Sequence, residues 1–276
     1  MNQISNKSIA LHQSPEGLLR YELDVPFVPT PYYVVDQMLM MANLKKNDIL
    51  FDIGCGDGRI VINAAKKYGI RSVGIDLDPY RIAESMENAK RFSVENLVTF
   101  INGNIFEIDI SAATVVTMYL LSSVNINLRP RLFEMLKPGS RIVSHDFHMD
   151  KWPADKKLQF EAHSLYSWTV PENCSGVWHW STNEDSGPTQ YAIQIRQQFQ
   201  KISAHVLYPA NIFTRKVTLQ GNKIEFSIQE HREEKCIQTI LKGTIADNQM
   251  SGTAVSSHKI DNWHAVRISG TKVPIF

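Results

Sequence analysis

Between residues 26 and 150 the apolar positions follow two alternating rhythms. Short, nearly unbroken hydrophobic runs occupy residues 48–54 (DILFDIG), 71–76 (RSVGID), 97–103 (LVTFING), 113–120 (ATVVTMYL) and 140–147 (SRIVSHDF). Runs of this length predict strands buried on both faces of a sheet. Between them the apolar residues recur at helical spacing. Val35, Met38, Leu39 and Ala42 mark the first helix, with Thr30 as its expected N-cap and Pro31 as its first residue. A second helix covers 59–69 and stops at Gly69, and a third starts at Asp78 and Pro79. A fourth covers 127–139, ending in Pro138 and Gly139. Strands alternating with helices predict an α/β fold, a doubly wound Rossmann-like sheet with right-handed parallel crossovers.

Beyond residue 170 the rhythm changes. Strand-like segments fall at 189–200, 201–208, 212–220, 223–230, 236–246, 250–257 and 262–269. Turn pairs such as Gly221-Asn222 and Asp247-Asn248 separate several of them. A repeat of roughly ten residues predicts an antiparallel all-β domain, barrel- or sandwich-like, of about six to eight strands. The expected domains are 1–172, including an N-terminal extension over 1–24, and 173–276.

Composition narrows the class. The formal net charge of +1 supplies no global field for nucleic acid. Cys55, Cys174 and Cys236 lie far apart, which argues against a disulfide framework or a structural zinc site and for a reducing, cytoplasmic setting. Neither a signal-peptide h-region nor an apolar run of about 18 residues occurs, so no membrane span is expected.

The candidate chemistry sits in residues 51–60, FDIGCGDGRI. Gly54, Gly56 and Gly58 alternate, so the third glycine comes one residue too early for a dinucleotide GxGxxG turn. No GK[ST] follows, which excludes a P-loop. Asp57 inside the turn is expected to repel a pyrophosphate, and Asp52 to favour a cation. S-adenosylmethionine, with a sulfonium and an ammonium group, fits such a turn. Asp76 follows Gly54 by 22 residues, the spacing of a carboxylate that takes ribose hydroxyls. Asn104 and Ile105, after the third strand, stand where an adenine edge would lie.

With these residues in view, positions 26–148 resemble a class I S-adenosylmethionine-dependent methyltransferase. The nearer resemblance is to the protein lysine N-methyltransferase group, which includes broad-specificity archaeal enzymes and the mitochondrial enzyme acting on the ATP synthase c-subunit. It is carried by PFVPTP, DIGCGDGRIVI, GIDLDP, TMYLLSSVNINLRPRL and LKPGSRIVSHDF. The family usually has Asp where Asn104 stands, and the β-rich tail has no counterpart in the short archaeal enzymes. The resemblance implies methyl transfer by in-line displacement, with S-adenosylhomocysteine as product and no metal. It implies cofactor contacts from Phe27, Pro29 and Thr30, from the turn residues Asp52, Gly54, Cys55, Gly56, Asp57, Gly58 and Arg59, from Asp76 and Leu77, from Asn104 and Ile105, and from Met118 and Tyr119. Tyr119 is its candidate catalytic residue, lining the acceptor channel.

Blander readings stand beside these. Asn104 is also a good turn residue, and Tyr119 a good core residue. The segment HDFH groups His145, Asp146 and His148, but strand alternation sends His145 and Asp146 to opposite faces, so no metal site is expected. Trp178, Trp180 and Trp263 read as core rather than as a cation cage. The acceptor is expected to be a protein lysine. A small molecule is the alternative, favoured if the β domain has an open apolar lumen, and a cofactor-binding regulator without turnover is a third. The neutral charge and the absence of an [ND]PP[YF] motif argue against nucleic acid.

Overall fold

The computed structural model describes residues 11–13, 19–21, 27–184, 187–232, 235–256 and 259–276; most of the expected extension over 1–24 lies outside them. The chain divides into two units, 1–168 and 169–276. Among the described residues no helix is long and apolar enough to cross a membrane.

In the first unit, β1 (Leu11–Gln13) and β2 (Leu19–Tyr21) form a separate antiparallel pair. The main sheet has seven strands. Five follow the expected runs: β3 (Ile49–Ile53), β4 (Arg71–Asp76), β5 (Val98–Asn102), β6 (Val115–Met118) and β7 (Arg141–His145). They pair in parallel in the order β5-β4-β3-β6-β7. The sheet is completed by a hairpin of β8 (Lys156–Phe160) and β9 (His163–Thr169), with β9 beside β7. No strand was expected in this stretch. In β8 the burial pattern is almost entirely exposed, so it has no hydrophobic run to betray it.

The helix α1 (Tyr32–Ala42) precedes the sheet, and α2 (Arg59–Tyr68), α3 (Pro79–Arg91) and α4 (Ser122–Met135) connect β3 to β4, β4 to β5 and β6 to β7. Val34, Val35, Met38, Leu39 and Ala42 of α1 pack with Ile60, Val61, Ala64 and Ala65 of α2 in one core with strand residues Leu50, Val115 and Val143. Two helix starts differ from expectation. The N-cap of α1 is Pro31, without a side-chain cap, because the Thr30 hydroxyl is engaged by His145 at 3.1 Å. The fourth helix begins at Ser122, not 127, and carries Pro130 inside it. Buried Leu128 and Leu132, one turn apart, hold it to the core on both sides of the proline. Asp78 caps α3 by accepting from Tyr80 N at 2.8 Å, and Gly69 ends α2 at φ +65°.

The second unit is one eight-stranded antiparallel sheet: β10 (Gly176–Glu184), β11 (Gly187–Gln198), β12 (Lys201–Tyr208), β13 (Ile212–Gln220), β14 (Lys223–Arg232), β15 (Lys235–Ala246), β16 (Gln249–Ser256) and β17 (Lys259–Arg267). Its order, β12-β11-β10-β17-β16-β15-β14-β13, joins the first strand to the last and leaves β12 and β13 as edges. These edges approach each other, with Thr214 Oγ1 donating to Ala204 O at 2.5 Å, so the sheet is nearly closed into a barrel. The strand β10 was not expected. It carries Trp178 and Trp180, which are fully or almost fully buried. Trp180 stacks on Tyr191 (centroids 5.0 Å apart) and meets Phe226 and Trp263 edge-on. With Ile193, Ile224, Leu241 and Met250 they fill the interior of the sheet.

Candidate active site

In the main sheet the chain reverses its direction of winding between β3 and β6, and a crevice opens beyond the carboxyl ends of strands at such a switch. The turn after β3, the end of β4, residues 103–106 after β5 and residues 119–120 after β6 line a cleft of about 1050 Å³ counted out to its mouth. Phe27, Pro29 and Thr30, from the segment before α1, complete the lining.

The turn is shaped by backbone requirements. Gly54, Gly56 and Gly58 all have positive φ, a region open mainly to glycine. At Gly56 a Cβ would lie 2.3 Å from the Phe27 ring, so only glycine lets that ring rest on the turn. Gly54 N and Cys55 N both donate to Ile75 O, and Gly56 N donates to Asp76 Oδ2 at 2.8 Å. The other oxygen of Asp76 accepts from Asp78 N at 3.0 Å. The carboxylate is thereby fixed in orientation, and each oxygen keeps acceptor capacity for a ligand.

Asp52 lies beneath the turn, 2% exposed, accepting from Thr117 Oγ1 at 2.7 Å. Burial, helped by the charges of Asp76 and Asp57, raises its pKa to about 8 despite the lowering effect of that hydrogen bond. Asp57 behaves differently from expectation. Both its oxygens face Arg59, at 2.8 Å from Nε and 2.5 Å from Nη2, and Arg59 also donates to Thr30 O. Its charge is matched inside the protein, so Asp57 is not a free repeller of phosphate. Cys55 is buried, and burial raises its thiol well above the usual range, which leaves it a filler rather than a nucleophile.

Of the residues expected at the site, all but Gly58 and Met118 line the cleft. Gly58 caps α2 against Phe100, and Met118 is fully buried in β6. Leu77 and Ile105 line it beside Asp76 and Asn104. Asn104 also serves the turn: its Oδ1 accepts from Phe106 N at 3.0 Å, and its Nδ2 faces Glu107. Sequence reasoning passed over Arg81, which also lines the cleft, as does Leu120 from the segment after the fourth strand. Arg81 lies one turn into α3 and reaches back over the Phe27 ring at 4.2 Å.

Tyr119 is half-buried at the cleft wall, its ring 3.9 Å from that of His145. Burial raises its hydroxyl pKa, and the charge and hydrogen bond of Asp146 raise it further. His145 and Asp146 do not diverge as alternation predicted. Asp146 ends β7 in a left-handed conformation, φ +58°, which turns its carboxylate back toward His145. His163, from the start of β9, joins them. His145 is fully buried, and that burial holds its pKa down to about 4.

Residues 52–156 match the family described as the ANTKMT methyltransferase domain. The chain is 42% identical over 160 residues to a protein-lysine N-methyltransferase of Saccharolobus islandicus, covering 56% of this chain and 99% of that protein. It is 29% identical over 131 residues to the Homo sapiens lysine N-methyltransferase named for the ATP synthase c-subunit; the match covers 48% of this chain and 55% of that protein. Among solved structures it is similar to an RNA methyltransferase from Salinibacter ruber in complex with S-adenosyl-L-homocysteine: 53% identity, TM-score 0.52, covering 52% of this chain and 95% of that one.

Proposed function

Because this chain belongs to the protein-lysine N-methyltransferase family, we propose that it transfers a methyl group from S-adenosylmethionine to the amine of a lysine in a protein substrate. The observation that carries the cofactor assignment is Asp52. It is a fully buried carboxyl group, its pKa raised to about 8, and the charges bearing on it from Asp76 and Asp57 have its own sign. A ligand with a sulfonium and an ammonium group relieves that situation, whereas a pyrophosphate aggravates it. Bound in the cleft, S-adenosylmethionine supplies an electrophilic methyl group.

The protein's residues then have distinct tasks. Asp52 holds positive charge. Asp76, oriented by two backbone N–H groups, takes hydroxyl donors. Phe27 and Arg81 cover the glycine turn. Tyr119, half-buried at the cleft wall with Phe147 stacked beside it, faces the acceptor side, where an aromatic wall desolvates an amine. Desolvation lowers an amine pKa and yields the neutral nucleophile that displacement needs. Positioning at about 3 Å in line with the leaving group supplies the remaining rate.

A second reading, methylation of RNA, is favoured by the similarity to the Salinibacter structure. The formal charge of +1 does not favour it. A small-molecule acceptor held in the β unit is disfavoured by its filled interior. The test is transfer of radiolabelled methyl from S-adenosylmethionine into a host lysate, with protein, RNA and metabolites then separated. Label on lysine in protein supports the proposal, label in RNA or metabolites replaces it, and no label with cofactor bound leaves a regulator without turnover.

A further inference from the structure

His145, Asp146 and His163 gather at the end of β7 and the start of β9, outside the lining of the cleft and one ring behind Tyr119. His145 Nε2 lies 2.9 Å from His163 Nδ1, and Asp146 Oδ2 lies 3.2 Å from the first nitrogen and 3.3 Å from the second. Three Lewis-basic atoms thus face one point. Nitrogen and oxygen ligands held at about 2.0–2.1 Å in a tetrahedron stand about 3.3 Å from one another. Two sides of the observed triangle, 3.2 and 3.3 Å, have that length, and the third, between the two imidazole nitrogens, is shorter at 2.9 Å.

The outer contacts fit the same use. The second nitrogen of His145, Nδ1, is 3.1 Å from the Thr30 hydroxyl, which leaves Nε2 to face the triangle. Asp146 Oδ1 accepts from Ser164 N at 2.7 Å, which aims Oδ2 at the two imidazoles. Metal-binding histidines and carboxylates are oriented by such second contacts. His163 and Asp146 keep side-chain exposures of 20% and 28%, so the point is reachable from solvent, while His145 is fully buried. Strand alternation had argued against a metal here, and nothing in the sequence pointed to His163 as a further ligand. The left-handed turn at Asp146 removes the first objection, and β9 supplies the third ligand.

We propose that His145 Nε2, His163 Nδ1 and Asp146 Oδ2 form a binding site for a divalent transition-metal ion of the zinc class. Two imidazoles and one carboxylate suit zinc, cobalt or iron(II) rather than magnesium or calcium. Three protein ligands with partial solvent access leave room for further ligands on the ion. The ion ties β7 to β9 and, through Thr30, to the segment before α1.

The site is tested on the full-length, untagged chain without any methyl acceptor, so its outcome is independent of the lysine reading. Cobalt(II) is added to chelator-treated protein and followed by its visible d–d bands, with zinc as competitor. One equivalent of cobalt bound per chain and displaced by zinc is expected. His163→Gln and Asp146→Asn, both at partly exposed positions, are each expected to weaken cobalt at least about tenfold. His148→Gln, whose exposed ring accepts from Asp150 N, is expected to leave it unchanged. No stoichiometric cobalt, or equal binding by wild type and His163→Gln, overturns the proposal and leaves the three atoms sharing a proton.

Discussion

At the scale of single residues, the cleft separates groups with similar sequence appeal by where their charge goes. Asp57 is matched by Arg59, whereas Asp52 is buried beside charges of its own sign. A cationic ligand stabilises the Asp52 carboxylate, so its pKa falls on binding. Below about 8 the free protein therefore holds a proton that the complex lacks. S-adenosylmethionine affinity is expected to rise with pH up to about 8 and then level off. Calorimetry in buffers of differing ionisation enthalpy should register the released proton, and a pH-independent affinity would remove Asp52 from the charge balance. Asp76→Ala should weaken the same ligand by at least about tenfold, the loss of one or two charge-assisted hydrogen bonds. Calorimetric affinity equal to wild type would take Asp76 out of the site. Tyr119→Phe, which keeps the ring against His145, should lower turnover and spare cofactor affinity; unchanged turnover would make Tyr119 a wall residue. The glycine turn and Asp76 were legible because their roles are local, a positive φ or a strand-end carboxylate. The turn role of Asn104 was one of the readings the sequence offered, whereas the pairing of Asp57 was not legible, because it depends on which neighbour takes its oxygens.

At the scale of elements, hydrophobic rhythm found the five parallel strands of the main sheet and missed its hairpin, both the exposed β8 and β9, whose Leu165 and Trp168 are buried. The hairpin of β8 and β9 closes the main sheet although β8 shows an exposed pattern, since a strand can be held by backbone pairing to β9 alone. The start of α1 moved because Thr30 spends its hydroxyl on His145, 115 residues away. In the barrel, Gly243 and Gly252 face each other across β15 and β16, and a Cβ on Gly252 would lie 1.9 Å from Lys242 O. The strands approach there closely enough that no side chain fits, and the Trp263 indole donates to Lys242 O beside them. Gly252→Ala should destabilise the β unit by about 2 kcal/mol or more. Denaturant unfolding followed by tryptophan fluorescence would report it, and a shift near zero would mean that the backbone relaxes freely.

At the scale of the whole molecule, two units with separate cores share one chain. The Saccharolobus enzyme, nearly all of whose length is matched by 160 residues here, makes the first unit a candidate for independent function. A chain ending after residue 170 is expected to bind S-adenosylmethionine within about threefold of the full protein, since a domain with its own core can fold alone. Loss of binding in a folded truncation would assign the β unit a part in the site. The sequence by itself determined the α/β class, the alternating order of strands and helices, the glycine turn with its strand-end carboxylate, and a β-rich second half. These depend on periodicity and on spacing along a local stretch of chain. Only the tertiary structure decided that Arg59 absorbs the charge of Asp57, that Asp52 is left buried with a raised pKa, that tryptophans fill the barrel, and that His163 meets His145 and Asp146. Each of those outcomes depends on which distant segments pack together, and burial and charge pairing are properties of that packing rather than of any local pattern.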